Sequence, residues 1–368
     1  MAADDLVQRL LDHCALMCET GEEGPIADAV AERYADHPIV RVGNSLVVGE
    51  PSGDRPVVAL VGHLDVVAPT DDDREPRVEA REGGDVVVGR GTSDMKAGNV
   101  VAMRVYEEVA SGALASDRDV VLVLYAAEEG PAEDNELAAV LDAVPWLGDV
   151  ALAVVLEPTD GEVQLGCLGG LHATLTIPGR QAHSARPWHG RNAVTRAGRL
   201  LTAFDELAPV EVEVDGITFR DVWSITQAST SNGRNVIPGS FAINLNLRFA
   251  PSRDVAAAEA ELRDMVATIA ADTDAGEVAV EVTDTAPPAH PHATTPAVAA
   301  FVAATGAPVA AKQAWTDVAR FGQIGVPALN YGPGRTDQAH QRGEYVEVAA
   351  LHAAYERLVT FIGTAVEA

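Results

Sequence analysis

The stretch Val120-Val-Leu-Val-Leu-Tyr-Ala-Ala127, followed directly by Glu128-Glu129-Gly130, decides the fold class. Eight apolar residues in a row are typical of a strand that is buried on both faces of a sheet. A second unbroken apolar run, Ala151–Leu156, also ends in a carboxylate, Glu157. Before the first run, residues 99–109 repeat apolar side chains at helical spacing. Strands that alternate with helices in this way predict an α/β core.

A different pattern covers the middle of the chain. In Phe241–Phe249 every second residue is apolar, and the residues between them are small or polar. This period of two is typical of a half-exposed antiparallel strand. Strands and amphipathic helices follow the order strand-helix-strand-strand-helix-strand over Leu168–Asp284, which predicts an inserted ferredoxin-like α+β domain. We therefore expect an α/β domain at 1–167 and 285–368 and an inserted domain at 168–284.

Charge and composition exclude several classes of protein. The chain has 55 Asp and Glu against 26 Lys and Arg, a formal net charge of −29. We expect no nucleic-acid partner, because no Lys/Arg cluster offers the basic patch that phosphates require. No apolar run is long enough to span a bilayer, so we expect no membrane partner. Three cysteines are too few for a disulfide framework, and no secretory signal begins the chain, which favours a cytoplasmic protein.

Side chains that bind metals follow the predicted strands, where ligands of open α/β sheets are expected. Five short segments carry them: His63 with Asp65, Asp94, Glu128 with Glu129, Glu157, and His340. Three of these segments also have an ordinary explanation, and Glu157 and His340 are weak signals on their own. His63 suits a hydrogen-bonded structural residue, Asp94 a helix cap, and Glu128 with Glu129 a solvated strand end.

Together these residues form a complete ligand set for two divalent metals. The set comprises two imidazoles, His63 and His340, and three carboxylates, Asp94, Glu129 and Glu157. One of the carboxylates would bridge the two metal ions. Such nitrogen and oxygen ligands fit zinc best, with cobalt or manganese as alternatives. Glu128 is then left beside the metals as the candidate general base.

The same segments carry a resemblance to a known family. They are Gly62–Asp65, Gly89–Gly98, Glu128–Gly130, Glu157-Pro158 and Ala339–Gln341, together with Gly179–Pro187, Asn235–Pro238 and Trp315–Phe321. The chain resembles the M20-family metallopeptidases and, within them, the succinyl-diaminopimelate desuccinylases of the actinobacterial type. The resemblance spans residues 62–341. It implies a mixed-sheet, zinc-peptidase-like catalytic domain and makes the inserted domain a lid and dimerisation domain.

The resemblance also implies a role for each residue of the metal centre. Asp94 would bridge two metal ions. His63 and Glu157 would complete one site, and Glu129 and His340 the other. Asp65 would orient His63. Glu128 would take a proton from the metal-bridging water and hand it to the departing amine.

Four further residues receive roles from the same resemblance. His183 in the inserted domain would stabilise the oxyanion in the partner subunit's active site. Asn235 and Arg248 would hold the substrate's carboxylate, for which a guanidinium has the right bidentate geometry. Thr316 falls at a substrate-binding position of the catalytic domain. A homodimer is implied.

The function implied is a dizinc amide hydrolase that removes succinate from N-succinyl-LL-2,6-diaminopimelate, a small anionic acyl-amino acid, in lysine and diaminopimelate biosynthesis. An M20 deacetylase, aminoacylase or carboxypeptidase, such as an acetylornithine deacetylase, is the alternative. A non-catalytic scaffold is disfavoured because no ligand position is lost. Gly166–Gly170 lacks the cation that proteobacterial desuccinylases carry there. The group that binds the succinyl carboxylate therefore stays open.

Overall fold

The computed structural model describes residues 2–365, with side chains from residue 5 onward. Its helices are α1 Ala2–Ala15, α2 Gly24–Arg33, α3 Ala97–Ala110, α4 Leu137–Ala143, α5 Ala193–Asp205, α6 Val255–Asp272, α7 Pro296–Thr305, α8 Val318–Gln323 and α9 Val348–Gly363. Its strands are β1 Ile39–Val42, β2 Ser45–Val48, β3 Val57–His63, β4 Arg77–Arg81, β5 Gly84–Val88, β6 Asp119–Tyr125, β7 Leu152–Pro158, β8 Val163–Leu165, β9 Gly169–Pro178, β10 Ala182–His183, β11 Val210–Val214, β12 Ile217–Ser229, β13 Val236–Ile237, β14 Ser240–Phe249, β15 Ala279–Ala286, β16 Val309–Ala311, β17 Ala328–Gly332 and β18 Tyr345–Glu347.

An eight-stranded mixed sheet forms the centre of the first of two compact units. Its strand order is β1-β2-β6-β3-β7-β17-β8-β16, and β6, β3, β7 and β17 run parallel to their neighbours in that series. Strand β7 is buried throughout and β6 is buried from Val120 onward, which confirms the prediction of strands covered on both faces. Strand β3, which lies between them, is wholly buried as well. Helix α3 packs on β3, β6 and β7. The α/β class and the mixed sheet are therefore as predicted.

Close packing of α3 on this sheet depends on one glycine. A Cβ at Gly98 would lie 2.4 Å from the backbone oxygen of Leu156, far closer than atoms can approach. The absence of a side chain at this position lets the start of α3 reach the end of β7. The same region of α3 holds β3, because Asn99 Nδ2 donates a 2.6 Å hydrogen bond to the carbonyl of His63.

Helix α1 is shorter than its sequence pattern suggests. Apolar spacing over residues 4–20 predicts one helix, but α1 ends at Ala15. The buried ammonium of Lys96 donates hydrogen bonds to the carbonyls of Leu16, at 2.8 Å, and His13, at 3.4 Å. A cation that takes the last carbonyls is a favourable helix terminus. The lysine comes from a distant segment, so the local pattern of α1 carries no sign of it.

The second compact unit is built on a five-stranded antiparallel sheet. The strand order is β11-β12-β14-β9-β15, and α5 and α6 pack on it. In β14 the odd-numbered apolar residues from Phe241 to Phe249 are all buried, which confirms the alternation that the sequence predicts. The elements follow the predicted order strand-helix-strand-strand-helix-strand, with β11 as an additional edge strand.

The two units are discontinuous in sequence. The first comprises Met1–Gly166, His292–Ala310 and Arg320–Ala368, and the second Cys167–Pro291 and Ala311–Ala319. The expected bounds differ at residue 167, at 285–291 and at 311–319, all of which they place in the catalytic domain. Residues 285 and 286 join the second unit as the end of β15, which pairs with β9, and Gln313 Oε1 accepts the backbone N–H of Arg220 in β12 at 3.3 Å. Trp315 Nε1 in turn donates a 3.0 Å hydrogen bond to the carbonyl of Pro287. The assignment of catalytic and lid roles to the units stays a prediction.

No helix within residues 2–365 combines the length and the apolar character that a membrane crossing requires.

Candidate metal centre

Two neighbouring parallel strands bring the first candidate ligands together. His63 is the last residue of β3 and lies opposite Tyr125, the last residue of β6. Glu128 and Glu129 follow Tyr125 within four residues. Because the carboxyl ends of parallel strands meet at one edge of a sheet, an imidazole and two carboxylates are placed side by side.

The third strand, β7, adds Glu157 at the same edge. β3 and β7 pair in parallel with Val61 opposite Val155. His63 and Glu157 each lie two residues further along their strands and are therefore level with each other. The side chain of Glu157 is buried, with 6% of its surface exposed. A buried carboxylate is costly unless a positive charge compensates it.

Asp94 lies in Thr92–Lys96, an irregular helical turn with non-helical dihedrals at Asp94 that leads into α3 and is called the Asp94 loop below. The two carboxylate oxygens of Asp94 face two different histidines. Oδ1 lies 3.1 Å from Nε2 of His63, and Oδ2 lies 3.7 Å from Nε2 of His340. Nε2 of His340 is also 2.8 Å from Oε2 of Glu129. The structure thus brings four of the five predicted ligands into one chain of contacts, with Asp94 in the middle. The peptide bond that follows Asp94 is cis.

The donor set fits a divalent metal. One ligand atom each from His63, Asp94 and Glu129 lies within 4.8 Å of the others, and nitrogen and carboxylate oxygen are the ligands that zinc prefers. Burial alone would lower the pKa of His63, but the hydrogen bond to Asp94 and the surrounding carboxylates raise it well above its ordinary value. The hydrogen bond to Glu129 likewise raises the pKa of His340 against burial. The cluster therefore attracts positive charge, which a metal would supply in place of these protons.

Asp65 contacts both sides of this cluster. Nδ1 of His63 lies 3.0 Å from the backbone carbonyl of Asp65 and 3.6 Å from its carboxylate. Because a carbonyl only accepts, Nδ1 carries the hydrogen and Nε2 is directed at Asp94. The carboxylate of Asp65 accepts the backbone N–H of Glu128, at 3.0 Å, and of Glu129, at 3.1 Å. The main chain of Asp65 thus orients His63, while its side chain anchors the two glutamates.

Two turns of the centre adopt left-handed backbone conformations at residues other than glycine. Ala127, directly before Glu128, has φ 61°, and His340 has φ 61° as well. Such values are uncommon for residues with a Cβ and concentrate at functional sites. The turn at Ala127 ends the extended chain of β6 just before the two glutamates.

Sequence reasoning missed a buried network that supports the loop of Asp94. Glu344, Arg90 and Asp73 are each at most 2% exposed, and Arg90 lies between the two carboxylates. Burial raises the pKa of Glu344 to about 7 although backbone hydrogen bonds oppose the shift. Arg90 stands inside the glycine-rich segment and Glu344 four residues after His340. The closeness of Arg90 and Glu344 in sequence to predicted ligands is the signal that could have identified them.

His183, the predicted oxyanion-stabilising residue, and the three predicted substrate-binding residues Asn235, Arg248 and Thr316 all belong to the second unit, so the expectation that Thr316 lies in the catalytic domain is wrong. His183 on β10 is exposed, and its Nδ1 accepts a 3.0 Å hydrogen bond from the backbone of Ala185. The carbonyl of Asn235 accepts the N–H of Ser184, which brings Asn235 beside His183. Arg248 lies on the half-exposed face of β14, and Thr316 is buried.

Fold and site together define a class: an α/β protein with a carboxylate–imidazole candidate metal centre at the carboxyl ends of the parallel strands of a mixed sheet. The family described as peptidase family M20/M25/M40 matches residues 59–364. The chain belongs to this family.

Proteins of known name match almost the whole chain. A Mycobacterium tuberculosis protein named putative succinyl-diaminopimelate desuccinylase is 34% identical over 364 residues, which cover 98% of this chain and 97% of that protein. A succinyl-diaminopimelate desuccinylase of Corynebacterium glutamicum is 35% identical over 354 residues, 94% of this chain and 92% of that protein.

Solved structures share the fold. A tripeptidase of Staphylococcus aureus has a TM-score of 0.76 at 16% identity and covers 98% of both chains. A Bacillus subtilis peptidase described as a dinuclear metal binding member of the M20 family has a TM-score of 0.71 at 14% identity, covering 98% of this chain and 97% of that one.

Proposed function

We propose that this protein is a metal-dependent amide hydrolase that removes succinate from N-succinyl-LL-2,6-diaminopimelate. The observation that carries the proposal is the position of Asp94, whose two oxygens face His63 and His340. A carboxylate that faces two imidazoles, with Glu129 in contact with one of them, is an arrangement that fits a pair of divalent cations.

Two zinc ions, or cobalt in their place, are the proposed cofactors. His63 and Glu157 would hold one ion, His340 and Glu129 the other, and Asp94 both. Bound metal would lower the pKa of a water molecule towards 7 and polarise the acyl carbonyl.

Glu128 is the proposed general base. The backbone N–H groups of Glu128 and of the proposed ligand Glu129 are both anchored to the carboxylate of Asp65, and the side chain of Glu129 contacts His340. One glutamate can therefore ligate while the other faces the substrate. Glu128 would accept a proton from the attacking water and return it to the amine as the amide bond breaks. No covalent enzyme intermediate is needed.

The substrate assignment rests on the relatives. Both named relatives that match nearly the full chain are called succinyl-diaminopimelate desuccinylases, one of them putative. In the second unit, Arg248 and Asn235 are proposed to bind the substrate's carboxylate, with Thr316 contributing and His183 acting in a homodimer. Three buried cysteines without disulfides suit the reducing cytoplasm, where we place the reaction.

A substrate panel tests the proposal. Zinc-loaded protein is assayed with N-succinyl-LL-2,6-diaminopimelate, N-acetylornithine and a dipeptide, and succinate, acetate or free amino acid is measured. We expect the highest kcat/KM for the succinylated substrate. Hydrolysis of N-acetylornithine or the dipeptide alone would overturn the substrate assignment but keep the chemistry. A protein that binds zinc and hydrolyses none of the three would overturn the proposed substrate class as well.

A further inference from the structure

Glu344 accepts four N–H donors at the base of the Asp94 loop. Its Oε1 accepts the backbone N–H of Ser93, at 2.7 Å, and of Asp94, at 2.9 Å. Its Oε2 accepts the backbone N–H of Gly91, at 3.0 Å, and Nη1 of Arg90, at 2.9 Å. A carboxylate that gathers so many charge-assisted hydrogen bonds fixes the backbone that supplies them.

The second terminal nitrogen of the Arg90 guanidinium also donates to a buried carboxylate. Its Nη2 donates to Oδ2 of Asp73 at 3.1 Å, and Asp73 also accepts the backbone N–H of Gly343 and of Thr70. All three charged side chains are almost completely buried. Two carboxylates around one guanidinium leave a surplus negative charge, which the backbone N–H groups stabilise. A surface ion pair would contribute far less to the position of a loop.

The network ties together the two segments that supply Asp94 and His340. Glu344 stands directly before β18, which pairs with β5, so its backbone carbonyl accepts the N–H of Gly89 at 3.0 Å. At the other end of the loop, the hydroxyl of Ser93 and the backbone of Arg335 exchange hydrogen bonds of 3.0 Å. The segments 89–94 and 335–344 are thus joined through Arg335 and Glu344, which lie on either side of His340 in the sequence.

We propose that Glu344 is a positioning residue for the metal centre, because its carboxylate sets where Asp94 stands relative to His340. The inference rests on the proposed metal-dependent function and names a further residue on which that function depends. Glu344 binds the main chain of Asp94 and leaves the carboxylate of Asp94 to the metals. Partners that orient metal ligands typically change metal affinity about 10–100-fold when they are replaced.

The substitution Glu344→Gln tests this role. The amide keeps the size of the side chain but places an NH2 group against N–H donors or against Arg90, so the loop loses part of its anchor. The readout is the affinity of metal-free protein for Zn²⁺ by calorimetry, together with thermal unfolding of the metal-free protein. We expect zinc affinity to fall about 10–100-fold. A drop in kcat should accompany it.

The matched control is Asp221→Asn in the second unit. Asp221 is also a buried carboxylate that binds an arginine, Arg253, and a backbone N–H, that of Ala250. Its replacement should lower the melting temperature without changing zinc affinity. If Glu344→Gln does not fold, the zinc affinity of Glu344→Asp is measured instead, since this variant keeps the charge and withdraws the carboxylate by one methylene.

Parent-like zinc affinity in a folded Glu344 variant with a lowered melting temperature would overturn the inference and leave Glu344 a merely structural residue. A parent protein that takes up no zinc would overturn the proposed metal centre itself, so the two failures are distinguishable.

Discussion

The carboxylate of Asp65 accepts the backbone N–H of Glu128 at 3.0 Å, so the proposed base is anchored through its main chain. The same carboxylate accepts the N–H of Glu129 and the hydroxyl of Thr20, and the carbonyl of Asp65 orients His63. One residue therefore links β3 to the turn after β6. A substitution at Asp65 should therefore displace the proposed base Glu128 and the proposed ligands His63 and Glu129.

For Asp65→Asn we expect kcat to fall by about 10–100-fold. The amide preserves the shape, but its NH2 group would face a backbone N–H and leave that donor without an acceptor. Steady-state kinetics with the succinylated substrate measures the effect. Thr20→Val, which removes only the hydroxyl contact, is the matched control and should change kcat much less. Equal kcat values for Asp65→Asn and the parent would show that the anchor is dispensable.

Replacing the proposed base by Glu128→Gln should lower kcat by about 10²–10⁴-fold, the usual contribution of a general acid–base. Zinc content should stay at the parent value, because Glu128 is not among the proposed ligands. The exposed Glu133 lies on the same loop, and Glu133→Gln provides the control. Undiminished hydrolysis by Glu128→Gln would refute the mechanism.

Removal of metal should abolish hydrolysis and lower the melting temperature. A ligand that binds only the folded state adds about 2.7 kcal/mol at a free concentration of 100 times its Kd. Dialysis against a chelator, followed by activity and thermal unfolding with and without added zinc or cobalt, measures both effects. Full activity after metal content has reached zero would exclude a metal-dependent reaction.

His13 should make the protein sensitive to acid. Burial, followed by the positive charges of Lys96 and Arg33, lowers its pKa from 6.5 to about 3. Above pH 6.5 the imidazole is neutral in the folded and the unfolded chain and has no effect. Below pH 6.5 only the unfolded chain takes up the proton, so the free energy of unfolding falls by up to about 1.4 kcal/mol per pH unit.

Denaturant unfolding of the parent and of His13→Leu between pH 7 and pH 4 measures this contribution. Nε2 of His13 has no hydrogen-bond partner among the described residues, so leucine leaves no donor unpaired there. The variant should lose less stability towards pH 4. Parallel curves for the two proteins would contradict the assignment to His13.

Most of the predictions from the sequence came from the periodicity of apolar residues and from the side chains that follow predicted strands. The apolar runs of β6 and β7 predicted buried strands, and parallel strands bring their carboxyl ends to one edge. His63, Glu129 and Glu157 could therefore be placed from local pattern. Alternation in β14 predicted the second sheet in the same way, because the period of two is a local property.

Long-range contacts set the limit of that reasoning. Glu344 and Asp94 are 250 residues apart in sequence and meet through a hydrogen bond to the main chain, which leaves no trace in side-chain periodicity. The end of α1 depends on Lys96 from another segment. The position of Arg90 between two carboxylates likewise follows from the pairing of β18 with β5.

The left-handed turns at Ala127 and His340 have a consequence for engineering. A residue with a Cβ is destabilised by about 1–2 kcal/mol in this conformation. Glycine would relieve the strain at Ala127, whereas at His340 it would remove the proposed ligand itself. Glycine would also open further backbone states to the native turn. A screen for thermal stability alone would select glycine at Ala127. The resulting fold would be more stable, but Glu128 and Glu129 would be held less firmly. Variants of these turns are therefore best selected by turnover at each round.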